Sequence, residues 1–301
     1  MAADPLRNEP EYAETLAREF NLVTPENSLK FGPVHPDRDR YDFGDADLIV
    51  DFAEAHGMQV RGHTLVWHSQ LSTWLTEGDW TREELAEVLH DHITTVVGRY
   101  RGRVSAWDVV NEAVADSGSL RDTIWLRVMG PEYVDLAFRW AHEADPDARL
   151  FYNDYGAEGL GPKSDAIYAM VEGMVQRGVP IHGVGLQMHA SLDGCPDPGA
   201  VAANIERLSA LGLEVHVTEM DVRIPEPVTP EELQAQAQIY SDVLRVCVSA
   251  RGCTAFVLWG FADCHSWIPG FFPGYGAALI FDENYAPKPA CDAIEDELTT
   301  P

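Results

Sequence analysis

Short β-rich runs alternate with amphipathic helices along almost the whole chain, and this alternation limits the fold more than any other feature. Seven runs are near-continuously apolar before each ends in polar residues: FNLVTPEN, MQVRGHTLVW, VSAWDVVNE, RLFYND, HGVGLQMH, LEVHVTEM and TAFVLW. Such runs are typical of parallel strands that are covered by helices on both faces. The sequence therefore predicts an α/β protein with a parallel sheet.

Eight helical segments separate and flank these strands. Two begin with capping boxes, Thr81 with Glu84 and Thr229 with Glu232, and continue with apolar residues on one face. The other six are predicted at roughly residues 10 to 19, 45 to 56, 132 to 143, 163 to 177, 199 to 211 and 288 to 297. Because no Ser-, Pro- or Gly-rich linker interrupts the alternation, residues 1–301 are expected to form one (β/α)8 TIM barrel.

The first strand of this barrel is expected to be short or truncated. A strand should precede the first helix, but only MAADP is available there. An unclosed barrel exposes two strand edges. We therefore expect either lowered stability or partial cover of these edges by a neighbouring segment.

Polar and aromatic side chains stand where the strands end. In a (β/α)8 barrel the carboxyl ends of the strands meet at one rim, and catalytic groups gather there. The strand-ending residues are Glu26, Asn27, His63, Asn111, Glu112, Asn153, Asp154, Tyr155, Gln187, His189, Glu219 and Trp259. The sequence therefore predicts a functional site at this rim.

Glu112 and Glu219 each follow an apolar strand and are the candidate catalytic residues. Retaining glycosidases place two carboxyl groups about 5 Å apart, one as proton donor and one as nucleophile. A single glutamate at a strand end would more often be solvated or salt-bridged. Two of them among amide, imidazole and indole groups favour catalysis.

The neighbours of the two glutamates fit this chemistry. Asn111 can bind a sugar hydroxyl next to the reacting carbon, although a turn-forming role stays open. His63 and His189 could each be a histidine of the core. Asp221 is the candidate to orient His189, which between two carboxylates could control the charge of the nucleophile.

Five tryptophans lie in or just after strand ends. Indole rings stack on the apolar faces of pyranose rings, which makes them suitable walls for a sugar cleft. The five are Trp67, Trp74, Trp107, Trp259 and Trp267. Of these, Trp107 is expected to pack in the interior instead.

The charge balance restricts the partners. A net charge of -28, from 49 acidic and 21 basic residues, repels nucleic acid and anionic membranes and favours a neutral or small substrate. The sequence has neither a glycine-rich phosphate loop nor a metal-ligand spacing of cysteines and histidines, so no cofactor and no metal are expected. We expect a monomer.

The amino-terminal stretch MAADPLRNEP has neither the basic nor the apolar region of a signal peptide, and no stretch is long enough to span a bilayer. An extracellular protein whose signal is absent from this chain is the first expectation. A cytoplasmic protein is the second.

Five cysteines leave at least one free thiol in any disulfide scheme. Cys247 and Cys253 are the most plausible pair, and Cys195, Cys264 and Cys291 receive no role. The alternative is that all five are small buried hydrophobic residues.

Together these motifs resemble glycoside hydrolase family 10, the endo-β-1,4-xylanases, from about residue 10 to residue 297. LVTPENSLKF, RGHTLVWHSQ, WDVVNEA, LQMH, VTEMD and WIPGFFPGYGAALIFD occur in the order and spacing of that family. The resemblance implies that Glu112 is the acid/base and Glu219 the nucleophile of a retaining double displacement on internal xylosidic bonds. It also implies a Cys247–Cys253 disulfide.

The resemblance further assigns the substrate-binding residues. The glycone side would be lined by Glu26, Asn27, Lys30, His63, Trp67, Gln70, Trp259 and Trp267. Asn111, Gln187 and His189 would lie close to the reacting sugar. Tyr155 would lie toward the aglycone side.

Other functions stay open at the level of sequence. A retaining cellulase or a hydrolase of short xylooligosaccharides would use the same two glutamates. A noncatalytic xylan-binding barrel is an alternative from another class, and the presence of both glutamates argues against it.

Overall fold

The computed structural model describes residues 1–299, and residues 300 and 301 of the predicted single domain lie outside the described part. Nine strands are found in that part. They are β1 (Leu22–Val23), β2 (Gln59–Val66), β3 (Ala106–Asn111), β4 (Arg149–Asp154), β5 (Gly183–Leu186), β6 (His189–Ser191), β7 (Glu214–Pro225), β8 (Cys253–Leu258) and β9 (Tyr275–Gly276).

The helices include all eight that the sequence predicts. Their bounds are α1 (Ala3–Asn8), α2 (Pro10–Glu19), α3 (Phe31–Val34), α4 (Gly44–Ala55), α5 (Thr73–Thr76), α6 (Arg82–Arg99), α7 (Ile124–Met129), α8 (Tyr133–Ala144), α9 (Pro162–Gln176), α10 (Pro198–Ala210), α11 (Pro230–Ser249), α12 (Ile268–Phe271) and α13 (Pro289–Thr299). Both capping boxes form, at the starts of α6 and α11. The extra helices are mostly single turns in the loops that follow strands.

The strands pair in parallel in the order β1-β2-β3-β4-β5-β7-β8, with helices between consecutive strands. The short β6 also pairs in parallel with β7, and β9 pairs with it in antiparallel. This arrangement confirms the predicted (β/α)8 barrel class. It also brings the carboxyl ends of all the barrel strands to one rim.

Glycines in the strands make room for large side chains inside the barrel. A Cβ atom on Gly62 would lie 2.2 Å from the ring of Trp107, and one on Gly185 would lie 2.1 Å from Oδ1 of Asn153. Trp107 is completely buried, as the sequence predicts. The glycine of one strand thus provides the space for the bulky residue of its neighbour.

The amino-terminal region differs from a complete barrel. The run at residues 20 to 27 contributes only the two-residue β1, and most of MAADP belongs to α1. Within residues 1–299 no strand precedes α1, in line with the expectation of a short or truncated first strand, and the barrel stays open between β1 and β8.

One run that was predicted as a single strand is interrupted in the structure. HGVGLQMH is divided into β5 and β6, because Met188 adopts a left-handed backbone with φ of 66° and interrupts the ladder. A methionine rarely adopts this conformation. The break turns the chain at the rim, between Gln187 and His189.

A disulfide joins Cys247, near the end of α11, to Cys253 at the start of β8, with a Cα–Cα distance of 5.1 Å. The pairing expected from the sequence is confirmed. Cys195, Cys264 and Cys291 are free thiols. Within residues 1–299, none of the helices combines the length and hydropathy required to cross a bilayer.

Candidate active site

Glu219 lies inside the rim, on β7, and is 4% exposed. Its Oε1 accepts a hydrogen bond of 2.7 Å from Nδ2 of Asn153, which the neighbouring β4 supplies. Burial alone would raise the pKa of Glu219, but the imidazoles of His63 and His189 outweigh it and hold this pKa below its usual value. A buried carboxylate that stays ionised can act as a nucleophile.

His189 lies between two carboxylates. Its Nδ1 donates to Oδ2 of Asp221 at 2.8 Å, and its Nε2 donates to Oε2 of Glu219 at 3.2 Å. Burial opposes its protonation, but the charges of Asp221 and Glu219 outweigh burial and raise the pKa of His189 to about 10. At neutral pH the imidazolium therefore donates to both carboxylates.

Glu112 lies directly after β3 and is partly exposed at the same rim. Its backbone is left-handed, with φ of 56°, a conformation that is costly for a residue with a side chain and recurs at active sites. Oε1 of Glu112 accepts from Nε2 of Gln187 at 3.2 Å. Nδ1 of His68 lies 3.8 Å from the other oxygen of Glu112.

Amides connect the two glutamates. The side-chain amide of Asn111 lies 2.9 Å from that of Asn153 and 3.2 Å from that of Gln187. Asn153 contacts Glu219, and Gln187 contacts Glu112. Asn111 therefore lies between Asn153 and Gln187, the two amides that contact the carboxyl groups.

Asp108 supports His63 from below the rim. Nδ1 of His63 donates to Oδ2 of Asp108 at 2.9 Å and lies 3.8 Å from Oε1 of Glu219. The guanidinium of Arg61 pairs with both oxygens of Asp108, which is 1% exposed. Burial would raise the pKa of Asp108, but Arg61 and His63 hold it low.

Lys30 and two indoles lie beside the glutamates. The ammonium of Lys30 lies 4.8 Å from the ring centre of Trp67 and 5.8 Å from that of Trp259. Burial lowers the pKa of Lys30 and the charges of Glu219, Glu26 and Glu112 act against this. Nζ of Lys30 donates to Oδ1 of Asn27 at 2.9 Å, which joins Asn27 to this group.

Glu26 is bound to the amino terminus. The ammonium of Met1 lies 2.8 Å from Oε1 of Glu26 and also donates to the carbonyl of Thr24 at 2.8 Å. Gln70 is exposed, and its carbonyl accepts from the amide of Gly32 at 2.8 Å.

Trp267 joins the histidine side of the site. Its Nε1 donates to Oδ2 of Asp221 at 2.8 Å, and its ring meets that of His189 at 4.9 Å between centroids. Trp74 differs, because its Nε1 donates to the carbonyl of His35 at 3.2 Å in a separate aromatic group. Within residues 1–299 the ring neighbours of Trp74 are Phe31, His35 and Trp80, which lie apart from the residues around the glutamates.

Tyr155 is held by two cations after β4. Its hydroxyl accepts from Arg121 at 3.2 Å, and the ammonium of Lys163 lies 3.4 Å from its ring centre. Lys163 also pairs with Asp154 at 3.0 Å. Arg121 returns to the site by donating to the carbonyl of Glu112 at 2.9 Å.

Four residues that contact the site were not predicted from the sequence: Arg61, His68, Asp108 and Arg121. Asn153 was predicted only as a strand-ending residue of the rim, without a role. Asp108 had a detectable signal, since a charged residue in the middle of a fully buried strand requires a partner. His68 follows Trp67 directly in the quoted motif. Arg121 had none, because it reaches the site from a loop.

Within residues 1–299, no group of three or more His, Cys, Asp or Glu side chains is arranged to hold a metal ion. A buried ionised carboxylate and a second, partly exposed carboxylate on one barrel rim, beside indoles and amides, are typical of the glycoside hydrolases that use a pair of carboxyl groups.

Comparison with known proteins agrees with this class. The model of glycosyl hydrolase family 10 matches residues 1–297, and the chain belongs to this family. It is 49% identical to endo-1,4-beta-xylanase B of Thermotoga neapolitana over 286 residues, which cover 95% of this chain and 82% of that protein. It is 41% identical to endo-1,4-beta-xylanase A of Humicola insolens, over 96% of this chain and 78% of the relative.

A solved structure is similar over nearly the whole fold. The crystal structure of xylanase 10B from Thermotoga petrophila RKU-1 in complex with xylobiose superposes with a TM-score of 0.97 at 48% identity. The match covers 99% of this chain and 92% of that chain.

Proposed function

We propose that this chain is an endo-1,4-β-xylanase that hydrolyses internal xylosidic bonds of xylan with retention of configuration. Glu219 is the nucleophile and Glu112 the general acid/base. The observation that carries the proposal is the His189 imidazolium, which binds Glu219 at 3.2 Å and Asp221 at 2.8 Å. This pairing keeps Glu219 ionised in a buried site, as attack on an anomeric carbon requires.

In the first step a carboxylate oxygen of Glu219 attacks the anomeric carbon. The glycosidic C–O bond breaks, its electron pair goes to the leaving oxygen, and Glu112 gives that oxygen a proton. The product is a glycosyl ester on Glu219. Asn153 and His189 hold Glu219 in place for this attack.

In the second step the ionised Glu112 takes a proton from water, whose oxygen attacks the same carbon. The ester bond breaks and Glu219 recovers its charge. Two displacements at one carbon give net retention. Gln187 and Arg121 position Glu112 in both steps, through its side chain and its carbonyl.

The remaining predicted residues bind the sugars. Trp67, Trp259 and Trp267 offer indole faces, while Lys30 and Asn27 offer polar groups to hydroxyls. The relative from Thermotoga petrophila is described in complex with xylobiose, which supports a xylooligosaccharide in this cleft. A neutral xylan backbone also fits the net charge of -28.

Product analysis tests the proposal. Glucuronoxylan and arabinoxylan are digested in the NMR tube, and the β-anomer of the new reducing ends is expected first. An initial α-anomer would refute retention. Rates on xylan, cellulose and xylobiose are compared in parallel, and negligible cleavage of xylan would refute the assigned substrate.

Substitution tests the roles of the residues. Glu219→Gln keeps the shape of the side chain, and we expect at least about a thousandfold loss of kcat because the nucleophile is removed. Glu214→Gln is the matched control, since Glu214 lies on the same strand β7 at its other end, paired with Arg149. Xylan binding without turnover by the unaltered protein would indicate a binding barrel.

A further inference from the structure

One side-chain oxygen joins two loops at the rim. Oε1 of Glu158, in the loop after β4, accepts from the amide of Gly156 at 3.1 Å and from the amide of Met188 at 3.0 Å. Gly156 and Met188 both have left-handed backbones, with φ of 64° and 66°. Glu158 is 7% exposed, so these two amides satisfy a carboxylate that is largely removed from water.

The backbone of Glu158 is fixed in turn by the helix α10. Nδ2 of Asn204 donates to the carbonyl of Ala157 at 2.8 Å and to that of Glu158 at 3.0 Å. Asn204 is completely buried. A buried amide that donates twice to one loop holds that loop in a single position. The carboxylate of Glu158 therefore approaches Met188 from a rigid support.

The turn at Met188 depends on an acceptor for its amide. The residues around Met188 favour an extended strand, since HGVGLQMH is a continuous β-rich run. In the left-handed conformation the amide of Met188 donates to Glu158 instead of to a neighbouring strand. Without this acceptor the turn would leave a buried amide unsatisfied, which is costly. The hydrogen bond to Glu158 thus opposes the local preference for a straight strand.

The two residues that adjoin the turn contact the two glutamates. On one side Gln187 donates to Oε1 of Glu112 at 3.2 Å. On the other side His189 donates to Oε2 of Glu219 at 3.2 Å. Because both residues adjoin Met188 directly, a change in its backbone would move their side chains relative to each other. Misplacement of catalytic groups by about 1 Å can lower a rate by about a hundredfold.

We propose that Glu158 is a positioning residue for the two catalytic glutamates. Its Oε1 holds the turn at Met188, and the turn places the two adjoining side chains against the glutamates. This role rests on the proposed function, from which the roles of Glu112 and Glu219 come. The required feature is an acceptor at the position of Oε1 and not the negative charge, since both partners of Oε1 are neutral amides.

Two substitutions of similar length separate the acceptor from the charge. Glu158→Gln keeps a carbonyl oxygen for the two amides, and its nitrogen takes the place of Oε2, which binds neither of them. Glu158→Met removes the strong acceptor. Glu158→Ala also removes it and leaves room for water, so it serves as the second variant, with the same expected changes, if Glu158→Met does not fold.

Asp197→Ala is the matched control. The carboxylate of Asp197 also accepts from a backbone amide, that of Ala200 at 2.9 Å, and caps α10. This is the helix that carries Asn204. The control therefore weakens the same region by the loss of one acceptor for a backbone amide, but it leaves the hydrogen bond between Glu158 and Met188 in place.

The first readout is the pH profile of kcat/KM on xylan. For Glu158→Met we expect kcat/KM to fall at least about tenfold, because the catalytic groups are displaced. Burial raises the pKa of Glu219, whereas the imidazoles of His63 and His189 lower it. With His189 farther away, the acid limb should move to higher pH by about 1. Glu158→Gln and Asp197→Ala should keep this limb and lose less than about twofold in kcat/KM.

The second readout does not depend on hydrolysis. Isotope-labelled methionine resolves the amide of Met188 by NMR, and its exchange with solvent should be at least about tenfold faster in Glu158→Met. In Glu158→Gln and Asp197→Ala this exchange should match that of the unaltered protein. A failure of the proposed function would appear separately, as absence of xylan cleavage by the unaltered protein.

Three results would overturn the role of Glu158. An unchanged acid limb with unchanged exchange at Met188 in Glu158→Met would mean that the turn does not need this acceptor. Equal changes in Glu158→Gln and Glu158→Met would mean that the charge is required instead. The same changes in Asp197→Ala would mean that any weakening of this region displaces the catalytic groups.

Discussion

Asp221→Asn tests the proposed control of the nucleophile's charge. Asp221 lies at 0% exposure and accepts from His189 at 2.8 Å. The asparagine keeps the shape but removes the charge that holds the imidazole protonated. His189 should then lose its proton near neutral pH, and Glu219 should lose its cationic neighbour.

The geometry sets the expected size of this effect. Nε2 of His189 lies 3.2 Å from Oε2 of Glu219, which corresponds to about 5 kcal/mol of attraction at an effective dielectric constant of about 20. Relaxation of the site would recover part of it. A net loss of about 2.5 kcal/mol would raise the pKa of Glu219 by about 2.

The assay is the pH profile of kcat/KM, whose acid limb reports ionisation of the nucleophile in the free enzyme. We expect this limb to move to higher pH by about 2 in Asp221→Asn. Trp267→Phe is the matched control, because it removes the other hydrogen bond to Asp221 and keeps the charge. An unchanged acid limb in Asp221→Asn would refute the electrostatic role of Asp221, even if kcat fell.

Three further predictions follow from the same contacts. Glu112→Gln should lower the rate on xylan by at least about a hundredfold. The rate on aryl xylobiosides with acidic leaving groups should fall far less, because these leaving groups need no protonation. Equal losses on both substrates in steady-state assays would contradict the role of Glu112 as the acid. Serine at both Cys247 and Cys253 should lower the free energy of unfolding by about 2 kcal/mol, a modest amount because the disulfide closes only a short loop. Denaturant melts with and without reductant check this. Reductant should leave the stability of the variant unchanged. The raised pKa of His189 contributes to the free energy of unfolding fully below about pH 6.5, and this contribution is lost as pH rises toward about 10. In melts at a series of pH values, Asp221→Asn should show a smaller loss of stability over this range. An identical loss in the variant would exclude His189 as its source.

The barrel and its rim were predictable because both depend on periodic patterns. Apolar runs ending in Asn111-Glu112 and in Glu219 specify strands whose ends meet, whatever the loops do. The division between β5 and β6 was not predictable, because the left-handed Met188 is imposed by tertiary contacts such as its amide donating to Glu158 at 3.0 Å. The local conformational propensity of the sequence does not predict the hydrogen bond between Met188 and Glu158.

Loop residues were missed for a related reason. Arg121 lies nine residues beyond Glu112, yet its side chain returns to the carbonyl of that glutamate. The periodicity of the sequence does not predict such contacts, since they depend on the path of a single loop. Lys163 contacts Tyr155 from the first turn of α9, again without a signal in spacing.

The buried charges under the rim show why the catalytic strands contain polar residues at all. Asp108 is completely enclosed, and a lone carboxylate there would be too costly to keep ionised. Arg61 pays this cost by pairing with it, and the pair in turn fixes Nδ1 of His63 as a donor. His63 can then face Glu219 without an ambiguous tautomer.

The hydrogen bonds continue downward from Arg61 through His216 to Thr254 of β8. Nη1 of Arg61 lies 2.8 Å from Nδ1 of His216, and because a guanidinium can only donate, this nitrogen must accept. Burial together with Arg61 lowers the pKa of His216 to about 3, so its single proton is on Nε2, which donates to Oγ1 of Thr254 at 2.9 Å. Thr254 is the exposed residue of β8. The chain of hydrogen bonds that begins beneath Glu219 therefore ends at an exposed hydroxyl on β8, and each donor in it has a fixed direction.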